Sequence, residues 1–227
     1  IGDDFWIEDE SGNRVYRVNG KALRARDTFI LEDTEGHEVA KIQERMSGLK
    51  VGDGTRGCDM GPLITKEHRD KVAGYIDIAT KDGATVVVDG RGIQADGGND
   101  GFWLGPTLID NVSVDSDVYK HEIFGPVLSI VRVASYQEGV DLINASQYGN
   151  GTAIFTNDGG AARQFQREIE VGMVGINVPI PVPVGYYSFG GWKDSLFGDK
   201  HVHGPEGVSF YTRAKVVTAR WPRSEHA

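Results

Sequence analysis

Apolar residues at Val72, Tyr75, Ile76 and Ala79 follow the i, i+3, i+4, i+7 spacing of one helical face, and Thr65 stands ahead of them as an N-cap. The pattern predicts an amphipathic helix over 65–81, ended by Gly83. A Val-rich strand is expected at 85–89, then a glycine-rich loop over 90–101 and a strand at 103–109. The run 127–133 is apolar enough to be a strand buried on both faces. Ser135 and Glu138 have the spacing of a capping box, which opens a helix through Ala145. A strand at 152–156 precedes Ala161, Ala162, Phe165 and Ile169, which mark a helix over 160–170 leading into a strand at 173–178. Alternating strands and helices of this kind predict an α/β fold, doubly wound on one largely parallel sheet.

Two regions break the alternation. Residues 5–45 contain short β-type runs, Phe-Trp-Ile, Val-Tyr-Arg-Val, Thr-Phe-Ile-Leu-Glu-Asp and Val-Ala-Lys-Ile, separated by turn signals at 10–13, 19–20 and 35–36. They read as a small antiparallel β-hairpin segment that needs partners to close a core. The second region follows the strand at 173–178. Prolines at 179, 181 and 183 fix φ and remove donors, so no strand continues. Glycines at 190, 191, 198, 204 and 207 and aromatics at 186, 187, 189, 192 and 197 then predict an irregular loop with apolar rings. An ordered structural loop and a loop lining a substrate or cofactor site account for this equally well.

Composition narrows the function classes. With 227 residues and 39% hydrophobic content the chain can bury a sizeable core. A formal net charge of −9 and no basic cluster argue against a nucleic-acid partner. No apolar run approaches the roughly 20 residues needed to span a bilayer. The single cysteine, Cys58, allows no internal disulfide and suits a reducing compartment, cytoplasmic or mitochondrial-matrix. The chain starts at Ile1 rather than Met, so a piece of a longer reading frame is expected.

Chemistry-bearing residues are few. Gly52-Asp53-Gly54-Thr55-Arg56-Gly57 fits G-x-G-x-x-G, but the preceding apolar run is short and Cys-Asp-Met-Gly-Pro follows where a helix should open, so a surface loop is expected. Cys58 has no histidine near in sequence and reads as an incidental thiol. His201 and His203 lack a third ligand and read as solvated loop histidines, with no metal site. In Lys120-His121-Glu122-Ile123-Phe124-Gly125-Pro126, residue types alone favour a turn carboxylate beside a buried phenylalanine.

Gly175-x-Asn177, the proline run at 179–183 and Ser188-Phe189-Gly190-Gly191-Trp192-Lys193-x-Ser195-x-x-Gly198 closely resemble the C-terminal part of aldehyde dehydrogenases. The likeness continues through Asp59-Met60-Gly61-Pro62, Gly105-Pro106-Thr107, Glu122-Ile123-Phe124-Gly125-Pro126 and Tyr211-Thr212, in family order over about 49–222. The prolines resemble the methylmalonate-semialdehyde dehydrogenase branch, which is NAD-dependent and coenzyme A-acylating. The resemblance implies a small aldehyde substrate, with Glu122 accepting from the nicotinamide-ribose hydroxyls and Phe124 packing near the nicotinamide ring. Phe189 would line the aldehyde tunnel and Asn177 would sit at the substrate pocket. The family's nucleophilic cysteine, oxyanion asparagine and nucleotide-binding half match no stretch of this sequence. No catalytic residue is therefore assigned here, and negligible activity and weak NAD binding are expected of this chain alone.

The resemblance also implies a terminal strand, 211–219, that pairs with a neighbouring subunit, giving a homo-oligomer or capture of a full-length homologue. The run Asp4–Arg45 is similar to part of a LURP-one-related, tubby-like β-barrel. The expected division is thus 1–46 as that β segment, 47–210 as part of a dehydrogenase catalytic domain and 211–227 as oligomerisation strand and tail, joined by fusion or truncation. Two other readings stand beside the enzyme: a non-catalytic assembly module, and lipid binding through the N-terminal segment.

Overall fold

A computed structural model describes residues 41–221 except Asn99, together with three strands nearer the N-terminus: β1 (Phe5–Glu8), β2 (Arg14–Val18) and β3 (Leu31–Glu32). These pair antiparallel in the order β1-β2-β3, with Phe5 opposite Val18 and Arg17 opposite Glu32. That is the expected hairpin meander; its turn signals at 10–13, 19–20 and 35–36 lie outside the described residues. The end of the fourth β-type run instead enters helix α1 (Lys41–Ser47). Lys-Ile-Gln-Glu-Arg-Met holds mostly good helix formers, which outweigh a short apolar run.

The predicted amphipathic helix is α2 (Lys66–Lys81). Thr65 caps it through its hydroxyl, which accepts from the His68 amide, and Val72, Tyr75, Ile76 and Ala79 form its buried stripe. Strands β4 (Thr85–Val88), β5 (Thr107–Asp110) and β6 (Val127–Ser129) make one sheet, β4 antiparallel to β5 and β5 parallel to β6. The crossover between the parallel pair carries α3 (Asp117–Lys120), capped by Ser116. Val72 and Ile76 of α2 and Ile109 of β5 are 0% exposed. Burying each such side chain is worth about 1.5–3 kcal/mol, so the contact of α2 with this sheet dominates the fold of this half.

The other half begins with α4 (Tyr136–Asn144). Its cap Ser135 accepts from the Glu138 amide, while Glu138 Oε2 reaches back to the Ala134 amide, one residue before the cap. Strands β7 (Tyr148–Gly149) and β8 (Gly151–Ile154) and helix α5 (Gly159–Glu168) follow, and α5 is capped by Asp158. Strand β9 (Met173–Ile176) pairs parallel with β8, Ala153 opposite Gly175. The parallel strands are therefore divided between two sheets rather than gathered in one, with β6 and β8 at facing edges of a cleft.

Strand β10 (Trp192–Lys193) pairs antiparallel with β7. Lys193 Nζ donates to the Asn144 and Ser146 carbonyls at 2.7 and 3.2 Å, placing a cation at the C-terminus of α4. The glycine-dense loop then yields an unexpected helix, α6 (Gly204–Tyr211). Pro205 suits its first turn, and Glu206 accepts from the His201 amide at 2.9 Å. The strand expected over 211–219 is not formed: Tyr211 closes α6, and residues 212–221 have no ladder partner among the described residues. A strand needs a second strand, and the expectation placed that partner in a neighbouring subunit.

Candidate functional site

The residues between α3 and β6 form the site. The Ser116 cap holds α3 in place, and its last turn closes through the His121 amide on the Asp117 carbonyl. Glu122, Ile123, Phe124 and Gly125 then cross to β6 along a cleft of about 440 Å³, which also takes in Leu128, Ser129, Gly151 and Thr152. Glu122 is exposed and makes no hydrogen bond or ion pair among the described residues. Phe124 is 71% exposed, the reverse of the buried ring that residue types alone suggested. It has φ +54°, a left-handed conformation unusual for a bulky residue. Ser129 Oγ is shielded from solvent without a hydrogen-bond partner among the described residues.

The other two predicted residues lie outside the lining of this cleft. Asn177, at φ +58°, spends its amide on the end of β8: Oδ1 accepts from the Thr156 amide at 2.8 Å and Nδ2 donates to the Thr156 carbonyl at 2.9 Å. Phe189 is half-buried and stacks on His203, centroids 4.6 Å apart with 9° between the planes. His201 is engaged as well, with Nδ1 2.9 Å from Glu206 Oε2. The amide of His201 and its ring together hold the Glu206 carboxyl below the usual glutamate range.

Gly54–Arg56 is a short 3₁₀ turn capped by Asp53, with no long helix for a pyrophosphate to meet. Cys58 lies 3.9 Å from Asp96 Oδ2, and partial burial together with that carboxylate raises the thiol's pKa. The sulfur is thus kept protonated, which disfavours nucleophilic attack. Sequence reasoning missed His68, whose Nε2 lies 2.7 Å from the Phe124 carbonyl oxygen. Half of the signal was available, since His68 extends the Val72/Tyr75 stripe by one turn, but nothing in that spacing points to Phe124.

Residues 21–217 match the aldehyde dehydrogenase family. The chain belongs to that family. The match begins inside the segment assigned above to a separate β unit, so the aldehyde dehydrogenase likeness crosses the boundary drawn at residue 46. A malonate-semialdehyde dehydrogenase of Pseudomonas aeruginosa is 58% identical over 190 residues, 83% of this chain and 38% of that protein. A methylmalonate-semialdehyde dehydrogenase from Oceanimonas doudoroffii superposes with TM-score 0.79 at 56% identity, covering 82% of this chain and 38% of that one. Betaine aldehyde dehydrogenase from Staphylococcus aureus, solved in complex with NAD+, gives TM-score 0.68 at 34% identity over 74% of this chain and 33% of that one. This aldehyde dehydrogenase segment therefore has the α/β fold of part of the catalytic domain and spans about two fifths of its relatives' length. Among the described residues no helix is long and apolar enough to cross a membrane.

Proposed function

We propose that this segment supplies the nicotinamide-ribose wall of the cofactor site in an NAD-dependent dehydrogenase of malonate or methylmalonate semialdehyde, with coenzyme A as acyl acceptor. One observation carries the reading: Glu122 presents an exposed carboxylate, without a partner among the described residues, in the cleft that also holds the exposed ring of Phe124. A carboxylate accepts from two vicinal hydroxyls at once, and an apolar ring excludes water beside them. The residues present therefore fit a ribose with an adjoining aromatic cation. The chemistry NAD supplies in such enzymes is acceptance of a hydride. Glu122 would orient the ribose, and Phe124 would keep water from the face beside it.

The substrate class comes from the similarity to malonate- and methylmalonate-semialdehyde dehydrogenases. The proposed oligomer rests on the exposed apolar residues Val216, Val217 and Trp221, 77–90% accessible on a segment without a ladder partner among the described residues.

The test is an NMR titration of the chain with NAD. Shifts should appear at the amides of Glu122–Gly125, and Glu122→Gln should weaken binding about tenfold, the size of a lost hydrogen bond to a charged group. Affinity should be weak, because a single ribose contact offsets little of the entropy of fixing a dinucleotide. Equal titrations for the two proteins, or shifts confined to other regions, would overturn the reading.

A further inference from the structure

Phe124 stands at φ +54°, and a bulky residue holds that conformation only where its surroundings impose it. Helix α2 is what surrounds it. His68, Val72 and Tyr75, at i, i+4 and i+7, each meet the loop at a different residue. His68 Nε2 lies 2.7 Å from the Phe124 carbonyl oxygen, Val72 stands where any side chain on Gly125 would have to go, and Tyr75 Oη lies 3.1 Å from His121 Nδ1.

The loop is also a partition. On one side is the cleft with Glu122; on the other is a hollow of about 540 Å³ lined by Met60, Leu63, Ile64, His68 and Phe124. Phe124 borders both, so where the loop backbone is held bears on which hollow the ring lines. Tyr75 and Val72 meet the loop towards its two ends, and His68 meets the Phe124 carbonyl between them.

We propose that His68 is the positioning residue of this loop, locking the Phe124 carbonyl so that Glu122 and Phe124 serve the same cleft. A carbonyl oxygen only accepts, so Nε2 carries the proton. The backbone of His68 is fixed in turn, since its amide donates to the capping hydroxyl of Thr65 at 3.1 Å. One residue thus ties a helix start to the loop 56 positions later. The functional part of the proposal rests on the reading of Glu122 and Phe124 as ribose and nicotinamide contacts; the conformational part does not.

The experiment compares the whole chain with His68→Leu and His68→Gln by NMR, with NAD as the probe. In the unsubstituted protein the ring 15N shifts should show a protonated Nε2. In His68→Leu the Phe124 carbonyl resonance should move, the amides of Ile123–Gly125 should broaden, and NAD affinity should fall about fivefold, the size of a neutral hydrogen bond. His68→Gln, which keeps a donor, should restore both. Sharp, unshifted loop resonances in His68→Leu would overturn the proposal, as would a loosened loop whose NAD affinity is unchanged while Glu122→Gln still weakens binding. If Glu122→Gln has no effect, the cofactor reading fails by itself and the loop resonances alone decide the role of His68.

Discussion

A side chain on Gly125 would collide with Val72: its Cβ would overlap Cγ1 and come within 2.8 Å of Cγ2. Val72 is 0% exposed in the α2 core and has no room to retreat. Gly125 does not have positive φ, so the obstacle is contact and not dihedral strain. Gly125→Ala should therefore cost about 1–3 kcal/mol, the usual range for overpacking. Urea unfolding should show it. Val72→Ala in the same chain should recover part of the loss, with a coupling above roughly 0.5 kcal/mol in a double-mutant cycle. Additive losses would mean that the loop does not press on α2.

Asn177 offers a second stability test. Its amide closes a two-way bridge to Thr156 from a left-handed backbone. Asn177→Ala loses both bonds and puts alanine, which tolerates a left-handed φ less well than asparagine, at that position, for a total near 2–3 kcal/mol. Asn177→Gly should recover about 1 kcal/mol of this, because glycine adopts the conformation without penalty. Chemical denaturation of the two variants side by side measures the difference.

The start of α6 should depend on acid. The His201 amide, and then the His201 ring, lower the Glu206 pKa in the folded chain. A depressed carboxylate contributes stability that is complete above the unfolded value, about 4.3, and is lost as pH falls through the folded value. The His201 amide resonance should show a step below the unfolded glutamate value, where Glu206 takes up its proton. Glu206→Gln should abolish that step.

Association should follow from residues left uncovered. Tyr186, Phe197, Val202 and Tyr211 are 70–97% exposed, and 212–221 has no ladder partner among the described residues. Light scattering at increasing concentration should show self-association. Substituting Val216 and Val217 with serine should reduce it if the terminal segment is the contact. A monomer at every concentration would remove the assembly reading.

Elements whose cause is local could be read from the sequence. Thr65 and Ser135 announced α2 and α4 because capping is decided within three residues, and the buried stripe of α2 followed from periodicity. The strands at 85–88, 107–110, 151–154 and 173–176 were likewise visible as apolar runs. Their division into two sheets was not, because pairing is set by residues far apart in the chain. Helix α6 was hidden because Gly204 and Gly207 look like breakers until Pro205 and the His201–Glu206 contact are seen together. At the site, the Glu122–Phe124 pairing came from motif likeness. The clamp by His68 came from neither motif nor periodicity alone, since it joins residues 56 apart.

Helix α4 sends adjacent residues to opposite addresses. Val140 and Ile143 belong to the apolar cluster of Ile154, Phe165 and Ile169, whereas Leu142 packs into the cluster of Tyr75, Ile109 and Val131. Tyr119 adds a hydrogen bond to the Leu142 carbonyl at 3.4 Å. The two halves are consequently fastened like pages to a spine. A force that pulls the sheets apart is passed between the two interiors through about two and a half turns of helix, so α4 carries load for both halves at once.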